Sequence, residues 1–321
     1  MDRSSLMIAL YCTGTNVRLD RSYPEPVPLV DEVVLSVTHC GICDTDVQLA
    51  SGYMGFQGVL GHEFVGVDEN GERYTAEINN ACRHCEWCAR GLETHCPNRS
   101  VLGIFKHDGA MAERVAVPKA NLHMIPDSIS DHSAVFIEPL AAAFQILEQL
   151  TVFRGDRVAV LGDGKLGVLC AWVLRTASED VTLIGKHDKK LAMVGRDVTK
   201  LRLESALAEH LKAYDIVVDA TGNASGLETA SQLCRPRGTI VLKTTIAGSH
   251  QLNLAPLVID EITLIGSRCG PFPKAISALE ADMFPVENLI EAVYTLDQAE
   301  KAFEHARQKG AAKVILEVSA S

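Results

Sequence analysis

Short apolar runs, rich in β-branched residues and bounded by turn residues, recur through the second half of the chain. They are VAVL at 158–161, VTLIG at 181–185, DIVVDATG at 215–222, GTIVLKTT at 238–245 and ITLIGS at 262–267. Their length and punctuation predict strands. An apolar helical stretch, VLCAWVL, follows the first run, and SGLETASQLC at 225–234 fits a helix between two others. This alternation predicts an α/β fold with a doubly wound parallel sheet over residues 141–268. The first 140 residues differ. They carry frequent Gly and Pro and short strand patterns such as EVVLSVTH and AERVAVP, which predict a β-rich, barrel-like domain. From 269 onward the pattern reads helix, helix, strand (AISALEADM, LDQAEKAFEHARQ, AKVILEV) and is expected to return to the first domain.

Composition narrows the class. A chain of 321 residues is long enough for two domains, each with its own core. A formal net charge of −11 argues against a nucleic-acid partner. The start, MDRSSLMIAL, lacks an apolar run with a cleavage site, and no stretch approaches about eighteen apolar residues, so neither a signal peptide nor a membrane span is expected. A cytoplasmic, reducing location follows as the expectation. There, clustered cysteines more often bind metal or do redox work than form disulfides.

Four of the ten cysteines fall within CRHCEWCARGLETHC, residues 82–96, spaced C-x2-C-x2-C-x7-C. Cys82, Cys85, Cys88 and Cys96 suit a tetrahedral four-thiolate zinc site, with Gly91 allowing the turn. Such a site is closed and holds shape. An iron–sulfur cluster is the lesser alternative. His84 and His95 read as solvated loop residues.

A second set lies upstream, in HCGICDTD (39–46) and GHEFVG (61–66). Cys43, His62 and Glu63 offer a thiolate, an imidazole and a carboxylate, a mix that suits a catalytic zinc with an open position. Asp46 is placed to hold the second ring nitrogen of His62, and Thr45 to pass a proton. Cys40 reads as a structural neighbour. A third signal is VAVLGDGKLG at 158–167, a strand running into Gly162-x-Gly164-x-x-Gly167 and then a helix. In that context the glycines read as a dinucleotide turn, with pyrophosphate at the helix N-terminus.

CGICDTD, GHEFVG, the four-cysteine loop and the glycine turn together resemble the zinc-dependent medium-chain dehydrogenase/reductases, which include alcohol, polyol and threonine dehydrogenases. The resemblance covers essentially the whole chain. It implies a GroES-like β-barrel catalytic domain at 1–140 and 269–321, with a structural-zinc lobe at 80–97, and a Rossmann domain at 141–268. It implies two zinc ions. Cys43 and His62 carry over as ligands of the catalytic one, with Glu63 at or beside the metal. Glu138, in FIEPLAAAFQ (136–145), carries over as a ligand bound directly or through water. Cys82, Cys85, Cys88 and Cys96 carry over as ligands of the structural zinc. Gln48 stands where classical alcohol dehydrogenases have a relay histidine, so the relay must run through Thr45, cofactor ribose and water.

The same resemblance implies cofactor contacts from Gly162, Gly164, Lys165, Leu166, Gly167, Thr221 and Arg268, and from Gly185, Lys186 and His187 after the second strand. Gly185 leaves room there and the two basic residues suit a 2′-phosphate, while the acid, Asp188, arrives late. NADP is therefore expected over NAD. The implied activity is hydride transfer between a nicotinamide and an alcohol, a polyol or the matching carbonyl, with Thr45, Asp46 and Glu63 as the catalytic group and a small molecule as substrate. Tyr53, Phe56 and Phe105 line the pocket or are ordinary core. A mainly carbonyl-reducing enzyme is the alternative, and a non-catalytic nucleotide-binding protein a remoter one. The apolar edge LAPLVIDEITLIGS (254–267) suggests a homodimer or homotetramer.

Overall fold

The computed structural model describes residues 6–246 and 251–318. Contacts divide the chain into two units, one formed by Met1–Glu138 with Phe272–Ser321, the other by Pro139–Pro271. Among the described residues no helix is long and apolar enough to cross a membrane.

The first unit is organised by the strand Glu32–Ile42. Leu35 and Val37 point into the core while Ser36 points out, the period of two that a half-buried strand requires. Its first half pairs antiparallel with Arg114–Pro118. Its second half lies between Glu63–Val67 and Lys313–Glu317, both antiparallel to it. A smaller sheet joins Val17–Pro24, Leu6–Cys12 and Gly58–Val59. This is the β-rich unit that the punctuated first 140 residues predict.

The strand Lys313–Glu317 pairs with Glu32–Ile42, and the helix, helix, strand expectation for this stretch needs one correction. Between the helices Phe272–Glu280 and Ala299–Ala306 lies a strand, Ile290–Thr295, paired parallel with Lys313–Glu317. It alternates half-buried with exposed positions at the end of its sheet. Glu291 and the preceding acids dilute the apolar run that would have announced it.

The second unit is a six-stranded, wholly parallel sheet. Its order is Thr199–Arg202, Asp180–Gly185, Arg157–Leu161, Tyr214–Asp219, Cys234–Leu242, Thr263–Gly266. The earliest strand is central and the chain winds outward both ways, which is the doubly wound order. Thr199–Arg202 was not foreseen, because TKLR has no apolar run; as an edge strand it needs none. Helix Lys165–Arg175 is buried along most of its length, and Trp172 Nε1 donates to the Val194 carbonyl at 2.9 Å. At the other edge, Leu254, Val258, Ile259 and Leu264 are exposed.

Candidate active site

Where Glu32–Ile42 ends, Cys43 becomes the N-cap of the short helix Asp44–Leu49. Asp46, in its first turn, accepts the Cys43 N–H at 2.8 Å, which fixes where the thiol is presented. Asp46 is fully buried. Its other oxygen lies 3.3 Å from the Gly61 N–H and 3.4 Å from His62 Nδ1. Gly61 has φ +101°, and a Cβ there would stand 2.8 Å from Cys40 Sγ and from the Met111 nitrogen, so the loop leading to His62 admits no side chain. Cys40 is thus packing material, its thiol pushed well above the usual value by burial. The outcome is convergence: one ligand atom each from Cys43, His62 and Glu63 lies within 4.8 Å of the others.

Burial and the mutual contacts of these groups set the electrostatics of the cluster. Burial pushes the Cys43 thiol up, with Glu63 adding to it and His62 opposing. For His62, burial disfavours the cation, but Asp46 and Cys43 together outweigh it and hold the imidazole well above its ordinary value. Glu63 has a partner that the sequence did not suggest. Lys313, first residue of the last strand, donates its Nζ to Glu63 Oε2, and both side chains are 2% exposed. Burial lowers the lysine's affinity for its proton, yet Glu63 and Cys43 reverse the effect and its pKa is raised. Gly41 makes room for the pair, since a Cβ there would stand 2.7 Å from Glu63 Oε2. The ammonium also lies 5.3 Å from the centroid of the Phe136 ring.

Glu138, in the first turn of helix Ile137–Gln149, is buried but lies outside the set that closes to 4.8 Å. Thr45 is half-buried, and its hydroxyl has no hydrogen-bond partner among the described residues. Of the aromatic pocket candidates, Phe56 is buried, while Tyr53 and Phe105 are half-buried, Phe105 beneath Lys106 Nζ at 5.0 Å.

The four-cysteine loop closes on itself. Sγ separations are 3.5 Å for Cys85–Cys88, 3.5 Å for Cys82–Cys96 and 3.8 Å for Cys85–Cys96, and all ten cysteines are free. A disulfide would need about 2.05 Å. A tetrahedron with bonds of about 2.3 Å has edges of about 3.8 Å, so the spacing fits one ion at the centre. The His84 backbone N–H leads the effects that bring the Cys82 thiol down to about 6, while burial and the neighbouring thiols push Cys88 up. Arg83 sits at φ +59° and is anchored to Asn121 Oδ1 at 2.8 Å and to the Ala120 carbonyl at 3.0 Å. His84 and His95 are exposed and make local contacts.

In the second unit, Gly162 takes φ +110°, and a Cβ on Gly167 would stand 1.8 Å from the Gly162 carbonyl. Only glycine satisfies either position. Gly164 differs: nothing lies within 4 Å of where its Cβ would be, and it is the N-cap of Lys165–Arg175. It leads into an eleven-residue helix with Lys165 and Leu166 in its first turn, whose first N–H groups have no partner within the helix. Asp163 turns the other way. Its Oδ2 accepts the backbone N–H groups of Lys186 and His187, each at 2.7 Å, and lies 3.1 Å from His187 Nδ1. This corrects one expectation. The room beside Gly185 is filled by Asp163, whose Cβ would lie 2.5 Å from a Cβ on that glycine. His187 is accordingly engaged with a carboxylate.

Thr221 donates its hydroxyl to Asp219 Oδ1 at 2.7 Å, and Thr244 donates to the same oxygen at 3.0 Å. The buried Asp219, also missed, therefore shapes both loops at the carboxyl ends of two adjacent strands. Arg268 is exposed just past the last strand of the sheet.

Comparison with known proteins adds the following. Residues 30–127 match the family model for the alcohol dehydrogenase GroES-like domain, and residues 132–318 match that for the glucose dehydrogenase C-terminus. The chain is 28% identical to a sorbitol dehydrogenase of Halalkalibacterium halodurans, over 94% of this chain and 96% of that one. It is 27% identical to a D-arabitol-phosphate dehydrogenase of Enterococcus avium, over 93% of each. Among solved structures it resembles the RspB alcohol dehydrogenase of Escherichia coli complexed with NADH, with TM-score 0.87, 26% identity and coverage of 97% of this chain and 99% of that one. It also resembles a putative zinc-binding dehydrogenase of Sinorhizobium meliloti bound to NADP, with TM-score 0.85, 25% identity and coverage of 98% and 99%.

Proposed function

The chain belongs to the zinc-dependent medium-chain dehydrogenase/reductase family, an NAD(P)-dependent oxidoreductase of alcohols and polyols, and from that premise we propose how its own residues divide the work. The observation that carries the reading is the meeting of Cys43 with His62 and Glu63 from a second segment, three donors of unlike type with no fourth closing the set among the described residues. That arrangement fits a zinc with an open position. Zinc held there would supply Lewis acidity toward a substrate oxygen, and a bound nicotinamide would be the donor or acceptor of the hydride.

Asp46 Oδ1 lies 3.4 Å from His62 Nδ1 and would hold that nitrogen, leaving Nε2 for a metal. The Thr45 hydroxyl, without a hydrogen-bond partner among the described residues, takes the proton leaving the substrate oxygen, or returns it in the reverse direction. Gln48 does not titrate, so onward transfer would need water or a hydroxyl of the bound cofactor. Lys313 holds Glu63 beside the site. Glu138, outside the set, acts through water. The Gly164 N–H and the first turn of Lys165–Arg175 receive the pyrophosphate, while Asp219 keeps Thr221 in place beside the cofactor. The first unit is then the catalytic domain and the second the dinucleotide domain.

A screen of alcohols and polyols with NAD⁺ and NADP⁺, followed by reduced-nicotinamide absorbance, tests the proposal. A zinc-dependent polyol oxidation favouring NADP⁺ is expected. No turnover of any alcohol or carbonyl with either cofactor would overturn the assignment. Purified protein is expected to hold two zinc ions per chain, one on Cys82, Cys85, Cys88 and Cys96. Cys85→Ser should lose one zinc and melt earlier, and two retained zinc ions would refute the closed site. The exposed apolar edge at Val258, Ile259 and Leu264 supports self-association. Light scattering at micromolar concentration is expected to read a multiple of 34.7 kDa, and a single-chain mass removes that part of the proposal.

A further inference from the structure

Arg202 ends the unforeseen strand Thr199–Arg202, and the parallel register sets it level with Gly185. Its Nη1 donates to the Lys186 carbonyl, so the guanidinium lies against the turn that follows the second strand of the sheet. Nearby carboxylates stand farther off, Asp188 at 3.5 Å and Glu204 at 3.7 Å, on side chains 86% and 72% exposed. Such solvated pairs are weak competitors for a guanidinium. Across the turn, Asp163 is occupied by the two backbone N–H groups and by His187. The turn therefore has no carboxylate at residue 185, and its buried carboxylate is already taken by three donors. That is poor provision for ribose hydroxyls seeking an acceptor and good provision for an anion.

We propose that Arg202 is a specificity-determining residue that binds the 2′-phosphate of NADP, with Lys186 as the second cation in place of His187. The inference rests on the reading that NADP is the preferred cofactor. A guanidinium presents a planar fork of donors matched to phosphate oxygens, which an imidazole committed to Asp163 does not. The bond to the Lys186 carbonyl holds one edge of that fork in place, so little rotamer freedom remains to be lost when the phosphate arrives.

The experiment compares adenosine 2′,5′-bisphosphate with 5′-AMP by calorimetry, on the wild type and on Arg202→Gln and Lys186→Gln. The wild type is expected to bind the bisphosphate about 10-fold or more tighter than AMP, the ratio that one charge-assisted contact supplies. Arg202→Gln is expected to lose most of that ratio with AMP binding unchanged, and Lys186→Gln to lose part of it. Equal wild-type affinity for the two nucleotides overturns the NADP reading itself. A wild-type preference that survives in Arg202→Gln overturns the role of Arg202 alone. An equal loss for both nucleotides in Arg202→Gln also overturns it, since the residue would then be shaping the turn rather than contacting the phosphate.

Discussion

His62→Ala is expected to lower kcat by roughly 10³-fold or more, since loss of a direct metal ligand exceeds the 10–100-fold that outer-shell changes cost. The reasons lie in the cluster. Cys43 and Glu63 remain, but two donors cannot define a tetrahedral site, and the Asp46 oxygen that faced the ring at 3.4 Å is left buried without its counter-group. The variant is expected to retain one zinc per chain, on the four cysteines, and to bind the dinucleotide as the wild type does, because the glycine turn belongs to the other unit. Asp46→Asn, which removes a charge and keeps the shape, should fall in between, at about 10–100-fold. The measurements are steady-state turnover, metal content and nucleotide affinity on the same preparations. Near-normal turnover in His62→Ala would exclude zinc-assisted hydride transfer at this site.

What was legible beforehand followed the range of the interaction. The glycine turn and the four-cysteine loop are written in spacings of a few residues, and local geometry turns such spacings directly into shape. Gly167 must be glycine because the Gly162 carbonyl is 1.8 Å from any Cβ it would carry, and six residues of sequence suffice to say so. Cys43, His62 and Glu63 come from two segments, and their convergence was legible through motif resemblance rather than through spacing. Lys313 is 250 residues from Glu63, and at the head of AKVILEV it looks like a solvated strand end. Only the antiparallel register of Ile42 with Val314 carries it into the core. Asp163 shows a related limit. As the middle residue of Gly-Asp-Gly its presence was plain, but spacing does not tell which way a side chain turns. Its turn toward Lys186 and His187 changes the meaning of Gly185, from vacant room to the seat of a carboxylate.

Lys313→Met is expected to destabilise the first unit by about 3–5 kcal/mol, the range found when one partner of a buried ion pair is removed. Methionine fills nearly the same volume, so packing is largely kept and the loss is electrostatic. The pair is sealed on both sides, each side chain 2% exposed, so water does not reach the carboxylate that remains. Gly41 keeps that carboxylate confined, and Cys43 and Asp46 lie close by as further acidic groups. In chelator-treated protein the cost should appear as a melting temperature roughly 6–20 °C lower, at about 2–4 °C per kcal/mol for a unit of this size. Lys313→Met with Glu63→Gln should recover much of the loss, because an amide replaces the uncompensated charge. Zinc should narrow the gap for the single variant, since Glu63 freed from the ammonium turns its charge to the metal. An unchanged melting temperature in metal-free Lys313→Met would mean that the ammonium is not what holds Glu63. A double variant no more stable than the single one would mean that the loss was one of packing rather than of charge.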